Sequence, residues 1–330
     1  MLLFNACNKA DEQKVQPQLI DNGGITVYPL RTPSYFPNYT IPSENELTQA
    51  KVDLGEMLFN DVVFSIDSSI SCATCHLKSR ALTDGLAVSV GVNGRKGTRS
   101  APSLLNVLWA PYFMWDGGPN TLEKQVVLPF DNHDEFDLNI VEAANRLNQN
   151  LDYVNKFDSA FGSLPNPRLI AEALACFERT LVSEESRFDK YFYLKDSSIL
   201  SQSELSGMQL FFSKELACSE CHTPPLFTTY EFINNGLFEF GKDPGRFKVT
   251  DHKPDEGKFK VPTLRNIKIT APYMHDGRFK TLEEVIDHYA SGGNSSRTQD
   301  SRIKKQNLTI QQKADLVAFL NSLTDSNFEK

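Results

Sequence analysis

The sequence predicts a mainly α-helical protein built from two tandem copies of one unit. Three observations predict it. The run Cys72-Ala73-Thr74-Cys75-His76 recurs as Cys218-Ser219-Glu220-Cys221-His222. Residues 101–129 align without a gap on residues 261–289, pairing Pro102 with Pro262, Leu104 with Leu264, Asn106 with Asn266, Met114 with Met274, Asp116-Gly117 with Asp276-Gly277, and Thr121-Leu122-Glu123 with Thr281-Leu282-Glu283. The strong apolar patterns have helical spacing, and strand patterns are few and short.

In chain order, "MLLFNAC" runs from apolar residues through Ala6-Cys7 into a polar stretch. It reads as the end of a lipoprotein signal with a lipid anchor at Cys7, although Phe4 stands where such a box usually has leucine. Residues 8–45 are polar and carry Pro17, Pro29, Pro33, Pro37 and Pro42, so residues 1–44 are expected to form a tail or surface strap. "SENELTQAKVDLGEMLFND" opens with Ser43 and Glu46 at capping-box spacing, then continues as a helix. "NPRLIAEALACFERTLVSEESRFDKYF" reads as one amphipathic helix with Cys176 on its apolar side, and "TIQQKADLVAFLNSL" as a third helix. The boundary near "SEESRFDKY" divides the chain into domains 45–186 and 187–330. Its 330 residues suit two domains, and 40% hydrophobic with 23% charged residues suits packed cores. No apolar run reaches 18 residues, so no membrane-spanning helix is predicted. A net charge of −8 argues against nucleic acid as a partner.

The recurring motif needs one chemistry. Zinc ribbons place their cysteine pairs about 15–20 residues apart. Here nearly half the chain separates them, and a ribbon has no use for the adjoining histidine. A thioredoxin-like pair needs a βαβ pattern that neither motif shows, and a disulfide framework does not explain two identical motifs. Covalent haem c remains. The thiols of Cys72 and Cys75, and of Cys218 and Cys221, add to the vinyl groups, and His76 and His222 become the proximal iron ligands. Two covalent haem c groups are expected, in two class-I cytochrome-c-like domains related by duplication. Haem c is attached outside the bacterial cytoplasm, so a periplasmic or cell-envelope location follows. Within the repeat, Trp115 stands opposite His275, Gln125 opposite Val285 and Pro129 opposite Tyr289, which points to two haems with different duties.

These motifs, with "FERTLVSEESRFDKY", "FMWDGG…TLEKQ" and "GRFKVPTLRNIKITAPYMHDG", resemble the bacterial di-haem cytochrome c peroxidases and their MauG-type relatives over most of residues 45–325. The resemblance implies that hydrogen peroxide meets the N-terminal haem. The C-terminal haem takes electrons from a small redox protein, a c-type cytochrome or a cupredoxin. Trp115 matches the tryptophan between the haems, and Gln125 and Glu135 match the distal glutamine and glutamate. A carboxylate there can take a proton from one peroxide oxygen and return it to the other. His133 is the alternative. The loop 86–102 lacks the histidine that blocks the first iron in the usual peroxidases, Val92 or Asn93 standing in its place. Pro129 matches a MauG-type distal proline, so an open sixth position is expected. At the second iron Met274, His275, His288 and Tyr289 compete. Tyr289 falls where MauG-type enzymes have a tyrosine, with Met274 as the fallback. The resemblance also implies calcium between the domains, with Thr270 and Pro272 at two carbonyl positions and the usual asparagine replaced near Ser100. The expected function is reduction of hydrogen peroxide to water. A MauG-like oxidation of a protein substrate is the second reading, and a non-enzymatic di-haem electron carrier the third.

Overall fold

The computed structural model describes residues 26–237 and 242–328; Cys7 lies outside them. Seven described helices have nine or more residues: α1 Gln49–Asn60, α2 Ile140–Asn148, α3 Leu151–Phe161, α4 Pro167–Arg179, α5 Gln202–Phe211, α6 Leu282–Ser291 and α7 Ile310–Ser322. One two-stranded antiparallel ribbon pairs Phe232–Ile233 with Lys260 and Phe259. Long loops and single helical turns make up most of the rest. No described helix is long and apolar enough to cross a membrane.

Local chemistry sets the helix ends. Asn166 caps α4 by accepting from Leu169 N at 3.2 Å, and Pro167 follows where its missing N–H costs nothing. Thr309 and Gln312 form a capping box at α7. Two expectations are corrected. Ser43 does not open the first helix: Ser43–Asn45 is a single 3-10 turn, Glu46 is extended, and Thr48 caps α1. The reason is tertiary. Val27 bridges Thr48, and Tyr28 N donates to Leu47 O at 3.0 Å, which pulls residues 47–48 into extended pairing with the strap. The long helix after Asn166 also breaks. It ends at Arg179 and resumes as Arg187–Phe192 behind a Ser186–Asp189 capping box.

The intervening segment is held from both sides. Asn106 and Asn266, partners in the sequence repeat, both take the left-handed conformation at φ 61°, which asparagine tolerates better than most residues. Asn106 N donates to Leu181 O at 2.8 Å, and Asn106 Nδ2 to Ser183 O at 3.1 Å. Asn266 N donates to Leu323 O at 3.0 Å, and its Nδ2 to Ser183 Oγ at 2.8 Å.

One apolar core gathers Leu54, Phe64, Phe130, Phe157 and Leu174; another gathers Phe188, Phe211, Phe227, Phe319 and Leu323. In each, a helix preceding a Cys-x-x-Cys-His run lies against a later one. At the crossing of α1 and α4, a Cβ on Gly55 would fall 2.0 Å from Ala173 O and 2.8 Å from Phe177 Cβ. At the crossing of α5 and α7, one on Gly207 would fall 1.8 Å from Asp315 O and 2.8 Å from Phe319 Cβ. Both crossings therefore need glycine. Residues 26–45 run as a strap outside the cores, with Phe36 buried beneath the Arg265 guanidinium and Trp109 Nε1 donating to Pro37 O at 2.8 Å.

Candidate active site

Both Cys-x-x-Cys runs form one helical turn, closed by His76 N to Cys72 O and His222 N to Cys218 O, each at 3.0 Å. The ring of His76 points Nδ1 at Leu82 O, 2.8 Å away, and that of His222 points Nδ1 at Phe227 O, 3.2 Å away. A carbonyl only accepts, so Nδ1 carries the proton in both rings and the Nε2 lone pair is left for a metal. Burial lowers the pKa of both histidines, His222 to about 4, which keeps them neutral. Burial pushes Cys72 up beyond the thiol range, and Cys75, Cys218 and Cys221 up to about 11. Such thiols are poor nucleophiles and poor redox centres; thioether formation removes the proton altogether.

A cavity of about 330 Å³ opens beside the second motif. It is lined by Cys218, Cys221 and His222, by Trp115, and by Met274 and Tyr289. Of the four distal candidates, His288 donates Nε2 to Asn235 O at 3.0 Å. His275 stacks on Phe259 at 3.7 Å between ring centroids and lies 3.8 Å from Asp243. Met274 and Tyr289 instead converge on Asn235, whose Nδ2 lies 3.5 Å from Met274 Sδ and 3.4 Å from Tyr289 Oη. Thr270 and Pro272 also line this cavity. The Ser100 hydroxyl is bonded to Met274 O at 2.9 Å, and no described group of three or more His, Cys, Asp or Glu gathers as a metal site.

Around the first motif, Glu135 lies on the loop after Pro129, and Phe136 N donates to Pro129 O at 3.1 Å. Burial raises the Glu135 pKa, opposed by the Asn132 amide, which donates to Glu135 Oε1 at 2.6 Å. The negative charge of Glu135 adds to the upward shift that burial gives both Cys72 and Cys75. His133 is exposed, with its ring on Asp134. Gln125 sits at the end of a short helix capped by Thr121, and its buried Oε1 has no partner within the chain. The loop lacking a histidine is bolted to the Glu135 loop: Val92 N donates to Glu135 O at 3.1 Å, and a Cβ on Gly91 would lie 2.1 Å from Asp134 O. Trp115 donates Nε1 to Ser100 O at 2.8 Å and meets His275, its repeat partner, edge-on at 6.5 Å.

The residues fit haem. Each motif offers two thiols and a neutral imidazole with Nε2 uncommitted. The second faces a largely apolar cavity. Gln125 Oε1, Glu178 Oε2 and Asp84 Oδ2 are buried side-chain oxygens of the first half without partners in the chain, as expected where a group outside the polypeptide completes the packing.

Comparison with known proteins gives the family. A family model described as di-haem cytochrome c peroxidase matches residues 49–197. The methylamine utilization protein MauG of Methylorubrum extorquens is 38% identical over 286 residues, covering 86% of this chain and 80% of that protein. The chain belongs to the di-haem cytochrome c peroxidase and MauG family. The cytochrome-c peroxidase IdrP1 of a Pseudomonas species is 33% identical over 325 residues, with 88% of this chain and 85% of that one covered. A solved MauG-like protein associated with microbial copper homeostasis superposes with a TM-score of 0.83 at 35% identity, over 89% of this chain and 95% of its own. The diheme peroxidase BthA of Burkholderia thailandensis, at 22% identity and a TM-score of 0.76 over 88% of this chain and 90% of its own, shares the fold.

The sequence reading missed Asn235, Glu178, and the clamp in which Arg99 donates to Asp116 at 2.7 Å and to both oxygens of Asp243 at 2.8 and 2.9 Å. An Asn-Asn-Gly run and an acidic residue 127 positions beyond Asp116 carry no periodic signal.

Proposed function

We propose that this chain is a di-haem c-type peroxidase, an oxidoreductase that takes two electrons and two protons and converts one hydrogen peroxide to two waters. Peroxidase-named relatives at 33% and 36% identity support the activity. The observation that carries the division of labour is the half-buried Glu135 carboxylate, held by the Asn132 amide at 2.6 Å on the loop after Pro129, together with Gln125 and Pro129 at repeat positions where the second half has Val285 and Tyr289. Bound at His76, haem supplies the iron that accepts peroxide and the electrons that split its O–O bond. Glu135 takes the proton from the near oxygen and returns it to the leaving one. Asn132 aims the carboxylate, and burial raises its pKa. The Gln125 amide donates to the bound oxygen. Pro129 offers no side-chain donor, which suits an iron open to peroxide. Trp115, lining the second cavity and touching His275, is the bridge between the two sites.

The same reading assigns covalent attachment through Cys72, Cys75, Cys218 and Cys221, and two cytochrome-c-like domains, 45–186 and 187–330. The matched glycine crossings and the matched roles of Asn106 and Asn266 support duplication. It places electron entry at the His222 haem from a c-type cytochrome or cupredoxin, puts Tyr289 on that iron, and sets the chain in the periplasm or cell envelope with a lipid anchor at Cys7. A calcium ion on the Thr270 and Pro272 carbonyls belongs to it as well. Oxidation of a protein substrate is the second reading, favoured by Tyr289 reaching the cavity.

The test is Glu135→Gln. Stopped-flow mixing of the holoprotein with peroxide should show cleavage slowed by about 10²–10⁴-fold with binding nearly unchanged. Equal cleavage rates would remove Glu135 from the chemistry. Low-temperature EPR of the oxidised holoprotein should show one high-spin and one low-spin iron; two low-spin signals would favour the electron carrier.

A further inference from the structure

Asn235 stands where the two remaining distal candidates of the second site meet. Its Nδ2 lies 3.4 Å from Tyr289 Oη and 3.5 Å from Met274 Sδ. Its backbone is fixed by the helix that carries the tyrosine, because His288 Nε2 donates to Asn235 O at 3.0 Å. The preceding residue is locked as well: Asn234 Nδ2 donates to Ser296 Oγ at 2.9 Å and Thr298 Oγ1 at 2.8 Å, and Asn234 Oδ1 accepts from Gly236 N at 2.9 Å. The backbone of Asn235 is therefore held beside the pair.

An amide NH₂ only donates. A phenolic oxygen accepts strongly and a thioether sulfur weakly, so the amide distinguishes the two atoms although it lies equally near both. Partners of this kind orient metal ligands and tune the metal, and a donor to a ligand atom draws electron density from it.

We propose that Asn235 is the positioning residue that presents Tyr289, rather than Met274, to the iron held by His222, and that its amide tunes that iron once the bond is made. This rests on the reading of Tyr289 as ligand. It accounts for a polar side chain aimed into a largely apolar cavity. It also gives His288 a role: the ring holds the backbone that holds the tyrosine.

The experiment uses the oxidised holoprotein, with the His76 haem as internal reference, and reads the EPR spectrum and the reduction midpoint of the second haem. Tyr289→Phe should change the second haem's low-spin signal and Met274→Leu should not; if Tyr289→Phe leaves that signal as in wild type, the ligand reading fails and this proposal with it. With the ligand reading intact, Asn235→Leu should move the second signal and leave the first unchanged. The midpoint should fall where tyrosine stays bound without its donor, or rise with the sulfur-to-iron absorption of a methionine-ligated haem where Met274 takes its place. Asn235→Asp, of the same size but offering only acceptors, guards against a folding defect and should shift the second haem in at least the same measure. Wild-type signal and midpoint in both Asn235 variants, beside an altered Tyr289→Phe, would overturn the proposal while sparing the ligand.

Discussion

Adding one methyl group at either glycine crossing should damage one haem site and spare the other. In Gly55→Ala the new Cβ lies 2.0 Å from Ala173 O, and in Gly207→Ala 1.8 Å from Asp315 O. Neither oxygen belongs to a flexible side chain, so the helices themselves must part by more than about 1 Å to reach ordinary contact near 3.5 Å. Overpacking of this kind costs about 1–3 kcal/mol. Alanine returns about 1 kcal/mol of helix propensity, but steric conflict with rigid backbone puts the cost at or above the upper end. We expect a net loss of about 2 kcal/mol, or a Tm lower by roughly 4–8 °C for domains of this size. The displacement has a direction. Phe59, one turn beyond Gly55, packs 6.3 Å from the His76 ring and 5.1 Å from Phe177, so Gly55→Ala disturbs the first site. Phe211, one turn beyond Gly207, packs 5.0 Å from Phe319 in the other core, so Gly207→Ala disturbs the second. Thermal unfolding followed by circular dichroism measures the cost, and EPR of the two irons measures the direction. Unchanged or raised Tm in both variants would refute the steric argument; identical changes at both irons would refute its locality.

Two further outcomes are expected. Arg265 and Asp189 form a two-pronged ion pair at 2.7 and 2.8 Å with side chains only 1% exposed, so Arg265→Met should cost about 3–5 kcal/mol in denaturant unfolding by stranding the carboxylate; a loss below about 1 kcal/mol would count against it. Burial pushes Glu178 up to about 8 from an ordinary 4.5, with Arg179 pulling it down and Glu123 adding to the rise. The unfolded chain then releases this proton near pH 4.5 while the folded chain keeps it to about 8, so this residue makes stability fall as pH rises across that window. Glu178→Gln should remove that slope and gain on the order of a few kcal/mol at pH 8 relative to pH 5; parallel profiles for wild type and variant would contradict it.

The two motifs and the ungapped repeat were legible because they are strings of matching residues at fixed spacing. The start of α4 and the whole of α7 were legible from periodicity. What escaped was set by distant partners. Ser43 and Glu46 have the right spacing for a cap, yet the strap at Val27 and Tyr28 claims Leu47 and Thr48 first. The amphipathic pattern after Asn166 continues past Arg179, yet Ser183 is drawn out of it by Asn106, 77 residues earlier. Gly55 and Gly207 lie outside the ungapped alignment, and a glycine inside a helix shows its purpose only when the opposing carbonyl is known. The distal candidates were named as four; partners from other elements separate them, since Phe259 and Asp243 engage His275 and the Asn235 carbonyl engages His288.

The crossing at Ser183 bears on motion. Asparagines from both repeats bond to this one residue, and Asp325 Oδ2 accepts from the backbone of Glu184 and Glu185, each at 3.1 Å. A connection gripped at successive residues from both flanks is a poor hinge, because a swing of the halves about it would break these bonds. The spacing of the two Cys-x-x-Cys-His runs is thereby set at folding, as in a solid-state junction. The stretch from 86 to 102 is pinned in the same way to the loop that carries Glu135, so the two move as one piece.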